Sequence, residues 1–92
     1  DPSIHYYLGV LKYYNNLFDE SLDELLVAVN SERHLLKTQF YLGMIKLKKE
    51  DFSEAIDHFN QVLKLDPKYY RAYFQIGKCY AGAGQDQFAT EF

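Results

Sequence analysis

Ninety-two residues, 48% of them hydrophobic and 25% charged, suffice for one small domain and lie far from the low-hydrophobicity range of disordered chains. A net charge of -3, from 10 basic and 13 acidic residues that are interspersed, provides no clustered cations to displace phosphate counterions, so no nucleic-acid partner is expected. No apolar run approaches the roughly 20 residues of a bilayer span, so no membrane insertion is expected, and the single cysteine, Cys79, excludes an intrachain disulfide.

Asp1-Pro2 opens the chain as a helix start, a carboxylate cap followed by proline at the first helical position, where its missing N–H costs nothing. The first predicted helix carries Gly9 and breaks near Asn15-Asn16. A second follows, with Leu22, Leu25, Leu26 and Val29 spaced by three and four, and breaks at Ser31-Glu32-Arg33. The third carries Gly43 and runs to Lys49-Glu50-Asp51; Lys46, Lys48 and Lys49 read as a solvated end where cations meet the helix dipole. The fourth has Ala55, Ile56, Phe59 and Leu63 at helical spacing and stops at Asp66-Pro67. The fifth carries Gly77, and Gly82-Ala83-Gly84 reads as a turn into a sixth, which holds Ala89. The acid pairs Asp19-Glu20 and Glu50-Asp51 fall at the starts of second helices, where carboxylates meet the positive end of the dipole. Strand-like alternation is absent, so the fold class is all-α.

Aligned with itself, the chain repeats at a spacing of 34 residues: Gly9, Gly43 and Gly77 share one register, each behind an aliphatic residue, Leu8, Leu42 and Ile76. The same offset pairs Phe18 with Phe52, Leu22 with Ile56, Leu25 with Phe59, and Ser21 with Ala55 and Ala89. This predicts an α-solenoid of antiparallel helix hairpins in a single domain over 1–92, with about three repeats near 2–35, 36–69 and 70–92, the last incomplete. A glycine inside a helix costs about 0.8–1.0 kcal/mol against alanine, so each is expected where two backbones approach: Gly9 against Ser21, Gly43 against Ala55, Gly77 against Ala89.

These residues resemble the tetratricopeptide repeat, whose pattern is W-x2-L-G-x2-Y followed by A-x3-F and a later proline. The third copy reads Tyr73-x2-Ile76-Gly77-x2-Tyr80, then Gly84 and Ala89, and stops at Phe92. The second supplies Leu42-Gly43, Ala55-x3-Phe59 and Leu65-Asp66-Pro67, with Gln39 and Lys46 where aromatic residues are usual; the first departs further, with His5, Lys12, Ser21 and Leu25. The resemblance implies a concave protein-binding surface lined by the first helix of each hairpin. Its groove positions would be Tyr6, Val10 and Tyr13, then Phe40, Met44 and Leu47, then Arg71, Phe74 and Lys78 with Ala81; Leu8, Leu11, Leu42, Ile45, Ile76 and Tyr80 would form the internal stripe. The implied partner is a protein or peptide of open identity, an apolar segment or amphipathic helix. The alternative is a structural unit whose groove or unfinished C-terminal repeat is filled by another copy or by the rest of its own chain. One branch of the family clamps the terminal carboxylate of chaperones; the corresponding places here hold Tyr6, Val10, Tyr41, Arg71 and Gln75, and only Arg71 keeps the charge, so that activity is not expected.

Catalytic chemistry is not expected either. His5, His34 and His58 lack the i, i+4 spacing of a helical zinc pair, Cys79 reads as a small packing residue, and no glycine-rich loop follows a strand. No enzyme, metal or cofactor is predicted. The chain starts at Asp1 without an initiator methionine, which points to an excerpt of a longer protein and leaves room for a targeting segment outside it; the compartment stays open, with the cytoplasm slightly favoured.

Overall fold

The computed structural model describes residues 2–87. Five α-helices follow one another: α1 (Pro2–Tyr14), α2 (Phe18–Ala28), α3 (Leu35–Lys48), α4 (Phe52–Leu65) and α5 (Tyr70–Gln87), with one turn of 3-10 helix at Glu32–His34 before α3. No strand occurs among the described residues, in keeping with the all-α reading. Helix α1 begins at Pro2. The cap expected from Asp1 lies outside the described residues.

The two hairpin turns are built alike. Asn16 and Glu50, 34 residues apart, both take the left-handed conformation with φ of 64° and 63°. Around them the Leu17 N–H bonds back to the Lys12 carbonyl at 2.9 Å and the Asn16 N–H to Tyr13 at 3.0 Å; Asp51 to Lys46 (2.9 Å) and Glu50 to Leu47 (3.0 Å) repeat the pattern. This is the Schellman closure, which satisfies the last helical carbonyls. One period further on stands Gly84, yet α5 continues through Gly82, Ala83 and Gly84 to Gln87, so the expected break is not there. Glycine permits a left-handed turn without compelling it, and no proline follows to forbid the helix. The other predicted stop holds. Asp66 is extended (φ -147°), as the residue before Pro67 must tend to be, and its Oδ1 accepts the Lys68 N–H at 3.1 Å.

Each second helix is packed between its own first helix and the next one. Leu25 and Ala28 of α2 meet Tyr6 and Tyr13 of α1 on one side and Leu42 and Ile45 of α3 on the other. One repeat later, Ala55, Phe59 and Val62 of α4 meet Phe40 of α3 together with Ala72 and Cys79 of α5. First helices also touch each other, α1 with α3 and α3 with α5, whereas α2 and α4 form no comparable contact, so the first helices share one inner face.

The expected internal stripe is corrected by this arrangement. Leu42 and Ile45 are 1% and 0% exposed because α2 covers them, but Leu8 and Leu11, at the same register in α1, are 38% and 59% exposed. No described helix precedes α1 to cover them. Tyr80 is exposed as well, while Ile76 is half-buried against α4. The glycine contacts also differ in detail. Ser21 does meet Gly9, its Oγ donating to the Gly9 carbonyl at 2.6 Å, but a Cβ on Gly9 would fall 2.7 Å from Leu25, and one on Gly43 would fall 2.7 Å from the Phe59 ring. The room serves the large residue four positions beyond the small one. A Cβ on Gly77 would meet no described atom beyond its chain neighbours and its own helix backbone within 4 Å, and Ala89 is outside the described residues.

Candidate functional site: the inner face of the first helices

The ten predicted groove residues separate into three groups, buried, half-buried and exposed, with Ala81 among the last. Tyr6, Tyr13 and Phe40 are buried and join neighbouring hairpins. Tyr6 stacks on His34 with centroids 4.4 Å apart and planes 2° from parallel. Tyr13 meets Tyr14, Phe18 and Tyr41. Phe40 sits edge-on to Phe59 and Tyr69, with the Arg71 guanidinium 5.2 Å above its ring. An i, i+4, i+7 stripe on α1 or α3 faces the adjacent first helix as much as solvent, which is why these three rings are consumed by packing. Val10, Met44 and Leu47 are half-buried; Arg71 and Lys78 are exposed; Phe74 is 66% exposed, with Lys78 Nζ 5.7 Å from its ring centroid.

Other aromatic residues reach the inner face. Tyr14 and Tyr41, from α1 and α3, share a hydrogen bond at 3.0 Å, and Tyr7 lies beside Tyr6 and His34. The signal was present as doublets: Tyr6-Tyr7, Tyr13-Tyr14 and Phe40-Tyr41. Successive residues on a helix project about 100° apart, so burying the first presents the second. Burial pushes the phenols of Tyr6, Tyr13 and Tyr41 above their ordinary range, for Tyr41 with help from the Tyr14 hydrogen bond, so all three remain neutral.

At one end of this face a cleft of about 490 Å³ opens between Tyr6, Tyr7, His34 and Tyr69, with Arg33, Lys37 and Asp66 at its borders. Its residues come from α1, the 3-10 turn, α3 and the loop before α5.

Two further titratable side chains are held by their surroundings. His5 Nδ1 lies 3.4 Å from Glu24, and burial holds the Cys79 thiol above its ordinary range, where it is a poor nucleophile. No group of three or more His, Cys, Asp or Glu among the described residues could hold a metal ion. No described helix is long and apolar enough to cross a membrane. Two of the three lysines at the end of α3 are paired, Lys46 with Glu54 at 3.2 Å and Lys49 with Asp19.

His58 gives the domain a pH dependence. Its Nδ1–H donates to Gln39 Oε1 at 2.8 Å, and burial, reinforced by Lys46 and opposed by Glu54 and Asp57, lowers its pKa below 6.5. The unfolded chain then takes up the proton first as pH falls. The stabilisation from neutral His58 is complete above 6.5 and is lost as pH drops through the depressed folded value. Between about pH 7 and pH 5 the melting temperature of the wild type is expected to fall more than that of His58→Gln, as followed by circular dichroism; parallel curves would remove this role.

Residues 37–69, which span most of α3, all of α4 and the loop after it, match the family model of the tetratricopeptide repeat. Over 91 residues, 99% of this chain, the sequence is 33% identical to the BBSome complex member BBS4 of Bos taurus. The chain spans 17% of that protein's length.

Proposed function

We propose that this all-helical chain, whose residues 37–69 match the tetratricopeptide repeat, is a binding scaffold, not a catalyst, whose inner face holds an apolar segment or amphipathic helix of a partner polypeptide. Repeats of this family generally mediate protein–protein interaction. The observation that carries the reading is the Phe74 ring, two-thirds exposed on the first-helix face, with Met44 and Val10 half-buried on the same side. The relative's membership of the BBSome complex accords with it. Each filled apolar position contributes at most about 1.5–3 kcal/mol, less the cost of ordering the bound segment.

The informative variant is Met44→Ala with Phe74→Ala. Phe40 is unsuited to the purpose, because truncating a buried ring confuses binding with folding. Loss of partner recovery in a pull-down with an unchanged melting curve is the expected result, and equal recovery of every partner by both proteins would remove the groove.

A structural role by self-association is the second reading. It is favoured by the exposed stripe Ile4, Leu8 and Leu11, whose equivalents Leu42 and Ile45 are covered by a second helix. A sedimentation profile that does not change with concentration would argue against it.

A further inference from the structure

Charge is sorted by helix. Helices α1 and α3 contain no Asp or Glu, and α5 contains none as far as Gly84, whereas α2 carries Asp19, Glu20, Asp23 and Glu24 and no base. The ion-paired lysines all lean on second-helix acids: Lys12 on Glu20 at 3.6 Å, Lys46 on Glu54 at 3.2 Å, and Lys49 on Asp19. Arg33, Lys37, Arg71 and Lys78, from the first helices and the turn before α3, have no carboxylate at ion-pair distance among the described residues.

Two of these unpaired cations, Arg33 and Lys37, border the cleft of about 490 Å³ beside Tyr6, Tyr7 and Tyr69. Within it His34 stands stacked on Tyr6 with its Nε2 buried and unpartnered by any hydrogen bond. The one acid lining the cleft, Asp66, already has Oδ1 engaged by the Lys68 N–H. Two cations against one carboxylate, with phenol walls, suit an anion attached to something flat or apolar.

We infer that this cleft receives an acidic side chain of the bound polypeptide, so that the partner segment is anionic with an aromatic or aliphatic residue beside the acid. The inference rests on reading the inner face as a polypeptide groove. The acid recognised is a side chain and not a chain-terminal carboxylate, since the clamp places hold Tyr6, Val10, Tyr41 and Gln75, with Arg71 the one cation. Charge complementarity chooses this occupant over a second copy of the chain, whose acids lie mainly on α2 and α4 and in the turns before them and are already partly paired with its own lysines.

The test is a selection of random peptides displayed on phage coat protein, a format that presents no free C-terminus. Peptides recovered on the wild type are expected to be enriched in Asp and Glu next to an aromatic or aliphatic residue. A synthetic amidated copy of the commonest one is expected to bind Arg33→Glu, Lys37→Glu about tenfold more weakly in fluorescence anisotropy, because two attractive charges become repulsive. Both side chains are exposed, and the circular dichroism of the variant is expected to match the wild type. A selection that returns no binder, shows no acidic enrichment, or gives peptides held equally by the charge-reversed variant overturns the cleft. Peptides without acidic enrichment that still lose affinity for Met44→Ala, Phe74→Ala overturn the cleft alone. Peptides held equally by both variants overturn the groove as well.

Discussion

Truncating Phe59 to alanine is expected to remove about 3–5 kcal/mol of stability, a large part of the 5–15 kcal/mol that holds a typical domain folded. The ring is fully buried at the centre of the second core cluster, with Phe40 edge-on at 5.6 Å and Gly43 beneath it. Its loss leaves a cavity lined by α3, α4 and α5, three helices held apart by their remaining contacts, so the space cannot collapse without moving one of them. Urea denaturation read by circular dichroism measures the effect. The control is Leu26→Ala, whose side chain is half exposed and for which a change within about 0.5 kcal/mol is expected. A Phe59→Ala loss no larger than that of the control would mean that α4 is not the element that joins the second hairpin to α5.

Phe59 was legible in the sequence because the 34-residue register aligns it with Leu25 and the helical spacing puts both on the buried stripe. Repetition averages over local accidents, and this is why hairpins, breaks and the buried second-helix residues emerged together. What the register could not say is whether a given face has a neighbour. Leu8 and Leu42 are the same residue at the same position, yet one is exposed and the other covered, since exposure depends on a helix that belongs to another repeat. The burial of three inner-face rings has a related cause. Tyr6, Tyr13 and Phe40 have the chemistry of a groove, but the space beside them is filled by His34, Tyr41 and Tyr69, which stand on the following first helix or in the turn that leads into it. The cleft was invisible for the same cause, as Tyr6, His34 and Tyr69 are separated by roughly one repeat each and meet only once the hairpins stack. Gly84 marks a different limit: a residue free to turn carries no instruction to do so.

Gly43→Val is expected to cost about 2–3 kcal/mol, although valine is the better helix former by a few tenths. A Cβ at this position would fall 2.7 and 2.8 Å from Cε1 and Cζ of Phe59, well inside van der Waals contact, and valine adds two further carbons. The ring has little freedom to retreat, being fully buried with Phe40 across its edge. Gly77 supplies the contrast. Beyond its chain neighbours and its own helix backbone, no described atom lies within 4 Å of the Cβ it would gain, so Gly77→Ala is expected to stabilise α5 by about 0.8–1.0 kcal/mol, the propensity difference. Opposite signs at two positions of identical register would separate packing from propensity, because the helical context is shared and only the neighbour differs. The double variant Gly43→Val, Phe59→Leu makes the coupling explicit: a shorter side chain opposite the new methyls should recover part of the loss, giving a non-additive pair. Strict additivity would show that the helix keeps Gly43 for a reason other than room for Phe59.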